Sequence, residues 1–219
     1  MIRAVCSAIL LLLVLQSSAF GEKSGWEENR SGHEVVVYVR EFPGSRIKEF
    51  LGVTEISASL SQIVAILSDP ESCSYIYTQC KEITVLSGTE KSSIIYTRNQ
   101  APWPVNDRDI VITRKLEQDP KTKAIYIRLA KTDAYQIEPP SGTVRMADFQ
   151  SQWTLVPTKE GTVKIEFQGH LEPGGNIPDS IINVYTGKNP YNTLVNLRKA
   201  VDEGRKKDIK VAWLKEISD

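Results

Sequence analysis

The sequence predicts an α+β fold in which a curved antiparallel sheet wraps around a long C-terminal helix and encloses an apolar cavity. Three patterns lead to this prediction. Eight segments between residues 35 and 171 have the composition and alternation of strands, and turn residues separate them. A short amphipathic helix interrupts these strands near residue 60. A longer helical pattern follows the last strand and begins near Pro178.

The strands are predicted from the alternation of apolar and polar side chains, which point to opposite faces of a sheet. In one run, Val163, Ile165 and Phe167 share a face. Gly88 and Pro120 mark two of the turns. Short links between successive runs indicate antiparallel pairing. The predicted strands are residues 35–40, 47–56, 82–87, 92–99, 108–117, 124–130, 144–156 and 162–171.

The first helix is predicted from a capping-box pattern, in which Ser59 is followed three positions later by Gln62. The residues after the cap have helical apolar spacing, at Leu60, Ile63, Val64 and Leu67. Pro70 ends this helix, and a second short helix is expected over residues 71–77.

The closing helix is predicted to start at Pro178, since proline suits the first position of a helix. Gly187 and Pro190 lie within the helical pattern. Because proline removes a helix hydrogen bond and disfavours helix at the preceding residue, we expect a break or kink at Asn189. The apolar stripes on either side are Ile181, Ile182 and Tyr185, and Leu194, Leu197 and Val201.

The composition is that of one globular domain without a strong charge. The chain has 219 residues, of which 41% are hydrophobic, and 27 basic side chains balance 27 acidic ones. A general nucleic-acid-binding protein carries a basic excess, so the charge balance argues against that class. The length is sufficient for one domain with a sizeable core. The inward faces are largely Ile, Leu, Val, Phe and Trp, and such an interior suits a lipid or a similar hydrophobic ligand.

The N-terminal residues 1–21 have the layout of a secretory signal. Arg3 precedes an apolar run over residues 8–15, and small residues follow at Ser17, Ala19 and Gly21. The run is too short to span a bilayer, and a retained N-terminal anchor is the alternative. We therefore expect an exported protein, periplasmic or secreted, with a ligand-binding domain over residues 22–204 and a C-terminal tail over residues 205–219.

The C-terminal tail combines basic and apolar residues. Arg205, Lys206 and Lys207 precede an apolar group that includes Trp213 and Leu214. Docking on an anionic membrane is one interpretation. A solvated tail with a few residues packed back on the domain is the other.

Two cysteines would remain after removal of the signal, which contains Cys6. Cys73 and Cys80 form an even pair in a chain predicted to reach an oxidising compartment, and this favours a disulfide. Two buried thiols are the alternative.

Arg114 is the residue that the strand pattern explains least. It shares its face of the strand 108–117 with Ile110, Ile112 and Leu116. A guanidinium in an apolar row has to be paired, hydrated or bound to a ligand, because burying an isolated charge is costly. The alternative is an arginine that extends to solvent.

The sequence contains no pattern typical of a common enzyme class. The two histidines, His33 and His170, are isolated, and no GxSxG, HExxH or paired Cys/His spacing occurs. His170 lies beside Glu172 and is the only candidate for acid–base chemistry; a structural histidine is the stronger reading. We predict no catalytic residue, no metal and no cofactor. An enzyme acting on a hydrophobic substrate and a protein-interaction domain with a filled core are the alternatives.

Three segments resemble the START (steroidogenic-acute-regulatory-protein-related lipid-transfer) domain family. They are PWPVNDRDIV (residues 102–111), WTLVP (residues 153–157) and the closing segment of residues 174–201. The resemblance covers residues 26–201 and implies a helix-grip fold, with a tunnel for one lipid and the C-terminal helix and adjacent loops as a lid. Residues 131–143 are the loop that we expect to open. The signal segment indicates a bacterial, exported branch.

The resemblance also implies a role for Arg114. Sterol-binding members carry an arginine here and pair it with an acidic residue on the preceding strand. Residues 94–98 of this chain contain no acid, which puts sterol specificity in doubt, and Glu49 or Glu55 is the alternative partner. The predicted partners are a phospholipid, sterol or related lipid and, transiently, a membrane, but no nucleic acid. The predicted ligand-binding residues are Arg114, Ile112, Trp153, Phe167, Arg145, Ile182 and Tyr185.

Overall fold

The computed structural model describes residues 25–217 of the chain. The predicted signal segment therefore lies outside the described residues. Within residues 25–217, no helix is long and apolar enough to cross a membrane. The elements in chain order are β1 (Glu27–Gly32), β2 (Val35–Arg40), β3 (Glu49–Ser57), α1 (Leu60–Ser68), a 3-10 helix (Pro70–Ser74), β4 (Cys80–Gly88), β5 (Ser92–Asn99), β6 (Asp107–Gln118), β7 (Ile125–Lys131), β8 (Thr143–Arg145), β9 (Asp148–Pro157), β10 (Thr162–Glu172) and α2 (Asp179–Asp202).

The strands form one sheet in the order β1-β2-β3-β10-β9-β7-β6-β5-β4. Each neighbouring pair in this order is antiparallel. The short strand β8 lies off this path and pairs in parallel with the beginning of β6. The chain thus confirms the predicted curved antiparallel sheet and its long closing helix.

Helix α2 packs against the inner face of the sheet at β2 and β3. Leu194 and Leu197 are fully buried there. Gly52 on β3 permits this close approach, because a Cβ at Gly52 would lie 2.6 Å from Leu194 Cδ1. The C-terminal half of α2 is therefore the part that the sheet grips most closely.

The buried side chains form two clusters. The larger one joins β2, β3, β9 and β10 to α1 and the C-terminal half of α2. The smaller one contains Ile95 of β5, Ile110 and Ile112 of β6, and Met146 between β8 and β9.

Helix α1 begins as the sequence predicts, but only half of the capping box forms. Ser59 Oγ accepts a hydrogen bond from the Gln62 backbone N–H at 3.1 Å. The Gln62 side chain does not return to Ser59; its Nε2 donates to the Arg205 carbonyl at 3.0 Å. The helix start is thus joined to the C-terminal tail.

The C-terminal tail packs back on the domain as a strap, here residues 205–217. The Glu216 carboxylate accepts hydrogen bonds from the backbone N–H groups of Leu60 and Ser61, at 3.0 and 2.8 Å. Lys215 and Gln118 exchange two hydrogen bonds, and Trp213 packs against the larger cluster. Trp213 and Leu214 are thus packed against the domain, whereas Ile209, another apolar residue of the tail, is 47% exposed.

Two predicted elements differ clearly from the observed ones. The segment 144–156 is not one strand: β8 ends at Arg145 and β9 begins at Asp148, because the buried Met146 turns into the smaller cluster and its N–H donates to the Asp109 carbonyl at 2.9 Å. The expected helix over 71–77 is a 3-10 helix that ends at Ser74.

Helix α2 does not break at Asn189, and it continues through Pro190 to Asp202. Proline within a helix costs about 3 kcal/mol. Here Pro190 is buried, and the residues after it pack into the larger cluster, which offsets that cost. Gly187 does not interrupt the helix. A glycine at this position allows β1 to pack closely, because a Cβ there would overlap the Asn29 side chain.

Candidate functional site

The inner face of β6 carries the row that contains Arg114. Arg114 is 8% exposed, and its neighbours on this face, Ile110, Ile112 and Leu116, are buried as well. The arginine therefore does not extend to solvent. Its side chain points to the inner face of the curved sheet, as the alternation of side chains along the strand predicts.

Two neutral oxygen atoms hold the Arg114 guanidinium. Nε donates to Ser93 Oγ at 3.2 Å, and Ser93 is the residue opposite Arg114 in the β5–β6 register. Nη1 donates to the backbone carbonyl of Ser68 at 3.1 Å. Ser68 is the last residue of α1, so the guanidinium lies at the negative end of that helix dipole.

Tyr77 completes the polar surroundings of Arg114. Burial lowers the pKa of Arg114, and the nearby Tyr77 phenol acts in the opposite direction. Burial raises the pKa of Tyr77 to about 12, while the positive charge of Arg114 partly opposes this shift. At neutral pH the site therefore holds a cationic guanidinium beside a protonated phenol.

The acidic partners considered for Arg114 lie elsewhere. Glu49 pairs with Arg40 at 2.6 Å, and Glu55 accepts a hydrogen bond from Thr162. Among residues 25–217, no carboxylate forms an ion pair with Arg114. Two of the five guanidinium N–H groups are used by Ser93 and Ser68, which leaves donors for a further acceptor.

The segment that carries Tyr77 is fixed by a disulfide and by a hydrogen bond to α2. Cys73 and Cys80 are joined by a disulfide with a Cα–Cα distance of 5.2 Å. On the other side, Asn196 of α2 donates to the Ile76 carbonyl at 3.0 Å. The loop beside Arg114 is therefore fixed both covalently and through α2.

The predicted aromatic ligand contacts, Trp153 and Phe167, lie in direct contact. They are opposite each other on β9 and β10, and their rings stack at 3.9 Å between centroids. Phe50 meets Phe167 edge-on at 4.9 Å. These rings belong to the larger cluster, whereas Ile112 belongs to the smaller one.

Arg145 lies apart from this group. Its Nε and Nη2 donate to the two carboxylate oxygens of Asp109, at 2.9 and 3.1 Å, and Nη2 also donates to the Ile137 carbonyl at 2.7 Å. The hydrogen bond to Asp109 raises the pKa of Arg145. These contacts correspond to the ion-pair alternative, and a ligand contact by Arg145 stays a prediction.

The predicted α2 residues lie on its N-terminal half. Ile182 and Tyr185 are partly buried, and the Lys188 ammonium lies 5.7 Å from the centroid of the Tyr185 ring. Ile181 and Val184, between and beside them, are exposed. This half of the helix thus presents apolar side chains to solvent, unlike the C-terminal half.

Neither histidine faces Arg114. His33 is exposed, and its Nδ1 lies 2.9 Å from the Tyr191 hydroxyl oxygen. His170 is 3% exposed and stacks on Phe42 with 3.8 Å between the ring centroids. On β10, His170 has the opposite parity to Phe167 and so points to the outer face of the sheet. The described residues contain no cluster of three or more side chains suited to a metal ion.

Comparison with known proteins identifies the family. The START domain profile matches residues 11–207 of the chain. The chain belongs to the START domain family. This establishes the resemblance that residues 102–111, 153–157 and 174–201 indicate.

Three relatives match more than half of the chain. An uncharacterised protein of Pseudomonas aeruginosa is 31% identical over 201 residues, which are 89% of this chain and 98% of the relative. A STAR-related lipid transfer protein from Xanthomonas axonopodis, known from a crystal structure, is 31% identical with a TM-score of 0.74, and the match covers 81% of this chain and 99% of that one. Phosphatidylcholine transfer protein of Mus musculus is 26% identical over 121 residues, which are 54% of this chain and 56% of the relative.

The sequence does not predict three of the polar groups around Arg114. Ser93 could have been found from the β5–β6 register, but the sequence does not establish that register. Ser68 contributes a backbone carbonyl, and Tyr77 lies in a connecting segment, so neither carries a periodic signal.

Proposed function

We propose that this START domain binds one lipid inside the helix-grip fold, with the polar end of the lipid at Arg114. The observation that carries this proposal is the buried guanidinium, which has neutral partners and unused donors. A ligand acceptor would use these donors and compensate the cost of burying the charge. The description of the Xanthomonas relative as a lipid transfer protein supports the same class of ligand.

Hydrophobic burial would supply most of the affinity. The acyl part of the ligand would lie along the apolar row beside Arg114, with Ile112 and the rings of Trp153 and Phe167 as predicted contacts. Burial of apolar surface contributes ~25 cal/mol per Å² before the costs of association. Arg114 would then determine the orientation of the ligand.

We propose binding without catalysis. The groups around Arg114 are a serine hydroxyl, a backbone carbonyl and a phenol whose pKa is about 12. None of them titrates near neutral pH, as an acid–base catalyst has to. An enzyme acting on a hydrophobic substrate is the alternative, and turnover of a bound lipid by the purified protein would establish it.

We propose that the lipid enters from a membrane that contacts one end of the domain. Trp103, in the β5–β6 loop, is 93% exposed, and Val184 on α2 is 62% exposed. Arg108 joins the β5–β6 loop to the segment before α2, because its guanidinium donates to the carbonyls of Asn106 and Gly174. This apolar rim, defined by Trp103, Ile181 and Val184, suits shallow insertion into a lipid interface.

The proposed setting is outside the cytoplasm. The signal layout of residues 1–21 and the Cys73–Cys80 pair support export to the periplasm or secretion. Transfer of lipid between two membranes would then be the biological role.

Native mass spectrometry tests the binding proposal directly. Delipidated protein is mixed with vesicles and re-isolated. We expect one lipid per chain. The absence of any lipid adduct, with the protein folded, would refute the proposal.

A vesicle-to-vesicle exchange assay tests the membrane contact. Trp103→Ala should slow transfer and leave the lipid occupancy at equilibrium unchanged. Val156→Ala is the control, because Val156 is an exposed apolar residue that lies outside the apolar rim, at the C-terminal end of β9. Equal transfer rates for Trp103→Ala and wild type would show that Trp103 of the apolar rim does not contribute to membrane contact.

A further inference from the structure

The charge around Arg114 indicates what kind of lipid the site prefers. The elements packed against it contribute Ser93 from β5, the Ser68 carbonyl from α1, Tyr77 from the segment before β4 and Leu129 opposite it on β7. None of these groups carries a negative charge at neutral pH. The buried site therefore has a net charge of about +1 before a ligand binds.

Two other arginines near β6 are compensated differently. Arg108 donates to three backbone carbonyls, those of Asn106, Pro173 and Gly174. Arg145 is paired with the Asp109 carboxylate. Arg114 has neither a carboxylate nor a full set of acceptors among the described residues.

We infer, on the basis of the proposed function, that the preferred ligand is an acyl lipid with a single negative charge at its buried end. The carboxylate of a fatty acid and the phosphodiester of an anionic phospholipid share this chemistry. A sterol or a fatty alcohol would leave the positive charge of Arg114 uncompensated. A zwitterionic phospholipid would bring a second cation that has no acid to meet it.

The donors present at the site match such a head group. A guanidinium offers a planar fork for two oxygen atoms of one anion. The Tyr77 hydroxyl is protonated at neutral pH, because its pKa is about 12, and so retains a proton to donate. A doubly charged phosphomonoester would exceed the single positive charge and gain less.

Competition among lipids tests the inference. Delipidated protein is equilibrated with mixed vesicles that contain oleate, oleyl alcohol, dioleoyl phosphatidylglycerol and dioleoyl phosphatidylcholine in equal amounts, and native mass spectrometry measures what is bound. We expect the anionic lipids to be enriched roughly 10- to 100-fold over their neutral counterparts, the range for one charged hydrogen-bonded contact. The ratio of oleate to phosphatidylglycerol distinguishes a carboxylate ligand from a phosphodiester ligand.

Variants of Arg114 show whether this charge preference comes from the guanidinium. Arg114→Gln and Arg114→Leu should abolish the enrichment, and Arg114→Lys should retain only part of it because lysine lacks the fork. Arg128→Leu is the matched control, because Arg128 is an exposed arginine of the neighbouring strand that pairs with Glu117. A cooperative thermal transition in each variant shows that it is folded.

The outcomes separate the two proposals. If wild-type protein binds neutral and anionic lipids equally, or if the enrichment survives in both Arg114→Gln and Arg114→Leu, the charge inference is wrong while lipid binding stands. If no lipid binds at all, the proposed function fails. Loss of enrichment in the Arg114 variants, with Arg128→Leu unchanged, supports the inference.

Discussion

Arg114 on β6 and Arg145 on the adjacent β8 are two buried or half-buried arginines with different kinds of partner. Asp109, which is 0% exposed, points to the outer face of β6 and receives two hydrogen bonds from Arg145. Arg114, five positions later, points to the inner face and meets only a serine hydroxyl and a backbone carbonyl. An odd separation along a strand produces opposite faces.

The difference indicates which charge serves the fold and which serves a ligand. The Asp109–Arg145 pair joins β6 to β8, and both charges are compensated within the protein. Arg114 is buried without an acid, which costs stability and is retained here, we propose, for binding. Changes at the outer pair should therefore affect folding, and changes at Arg114 should affect lipid.

The largest expected effect is on the outer pair. Asp109→Asn removes one partner of a buried ion pair and should lower the free energy of unfolding by about 3 kcal/mol. Urea-induced unfolding measures it. Glu117→Gln, which breaks the exposed pair with Arg128, is the control and should cost less than about 1 kcal/mol. Equal losses in the two variants would mean that the outer pair has no special structural role.

The disulfide beside Tyr77 should have the next largest effect. Replacing both Cys73 and Cys80 by serine should lower the free energy of unfolding by about 2.5 kcal/mol, because a loop of this length is no longer closed in the unfolded chain. The lipid affinity should fall as well, since Tyr77 lies within the loop. Reductant should reproduce both losses in wild type and change nothing in the double variant. Alkylation of both thiols in freshly exported, unreduced protein would show that the bond does not form.

A smaller effect is expected where the strap meets α1. Helix α1 receives Glu216 at its N-terminus and Arg114 at its C-terminus. Glu216→Gln removes the anion from the positive helix end and should cost about 1 kcal/mol in thermal or urea unfolding. Glu203→Gln, on an exposed carboxylate, should cost less than about 0.5 kcal/mol. No loss in Glu216→Gln would mean that the strap does not stabilise α1.

The parts of the fold that the sequence predicts are those with one buried face. The bounds of β2 and β5 match the predicted runs 35–40 and 92–99, and in β2 fully buried side chains alternate with partly exposed ones. Strand β1 was missed, since all six of its residues are exposed and its pairing with β2 leaves no apolar pattern. The break between β8 and β9 depends on where Met146 packs, and no glycine or proline marks it.

In the candidate site, too, the sequence predicts the face on which a residue lies but not the partners of that residue. Parity along β6 is sufficient to place Arg114 inside the sheet. The identity of its partners depends on contacts between distant segments, which bring together Ser68 at the end of α1 and Ser93 on β5. The same applies to Arg145, whose partner Asp109 is 36 positions away along the chain. Local periodicity does not contain this information.

The free energy of unfolding of lipid-free Arg114→Leu protein tests the central claim most directly. If Arg114 serves a ligand, replacing an unpaired buried charge by an apolar side chain should leave stability within about 1 kcal/mol of wild type or raise it. The lost hydrogen bonds to Ser93 and Ser68 set the lower limit of that range. A loss as large as that of Asp109→Asn would contradict the account and make Arg114 a structural clamp between α1 and the sheet.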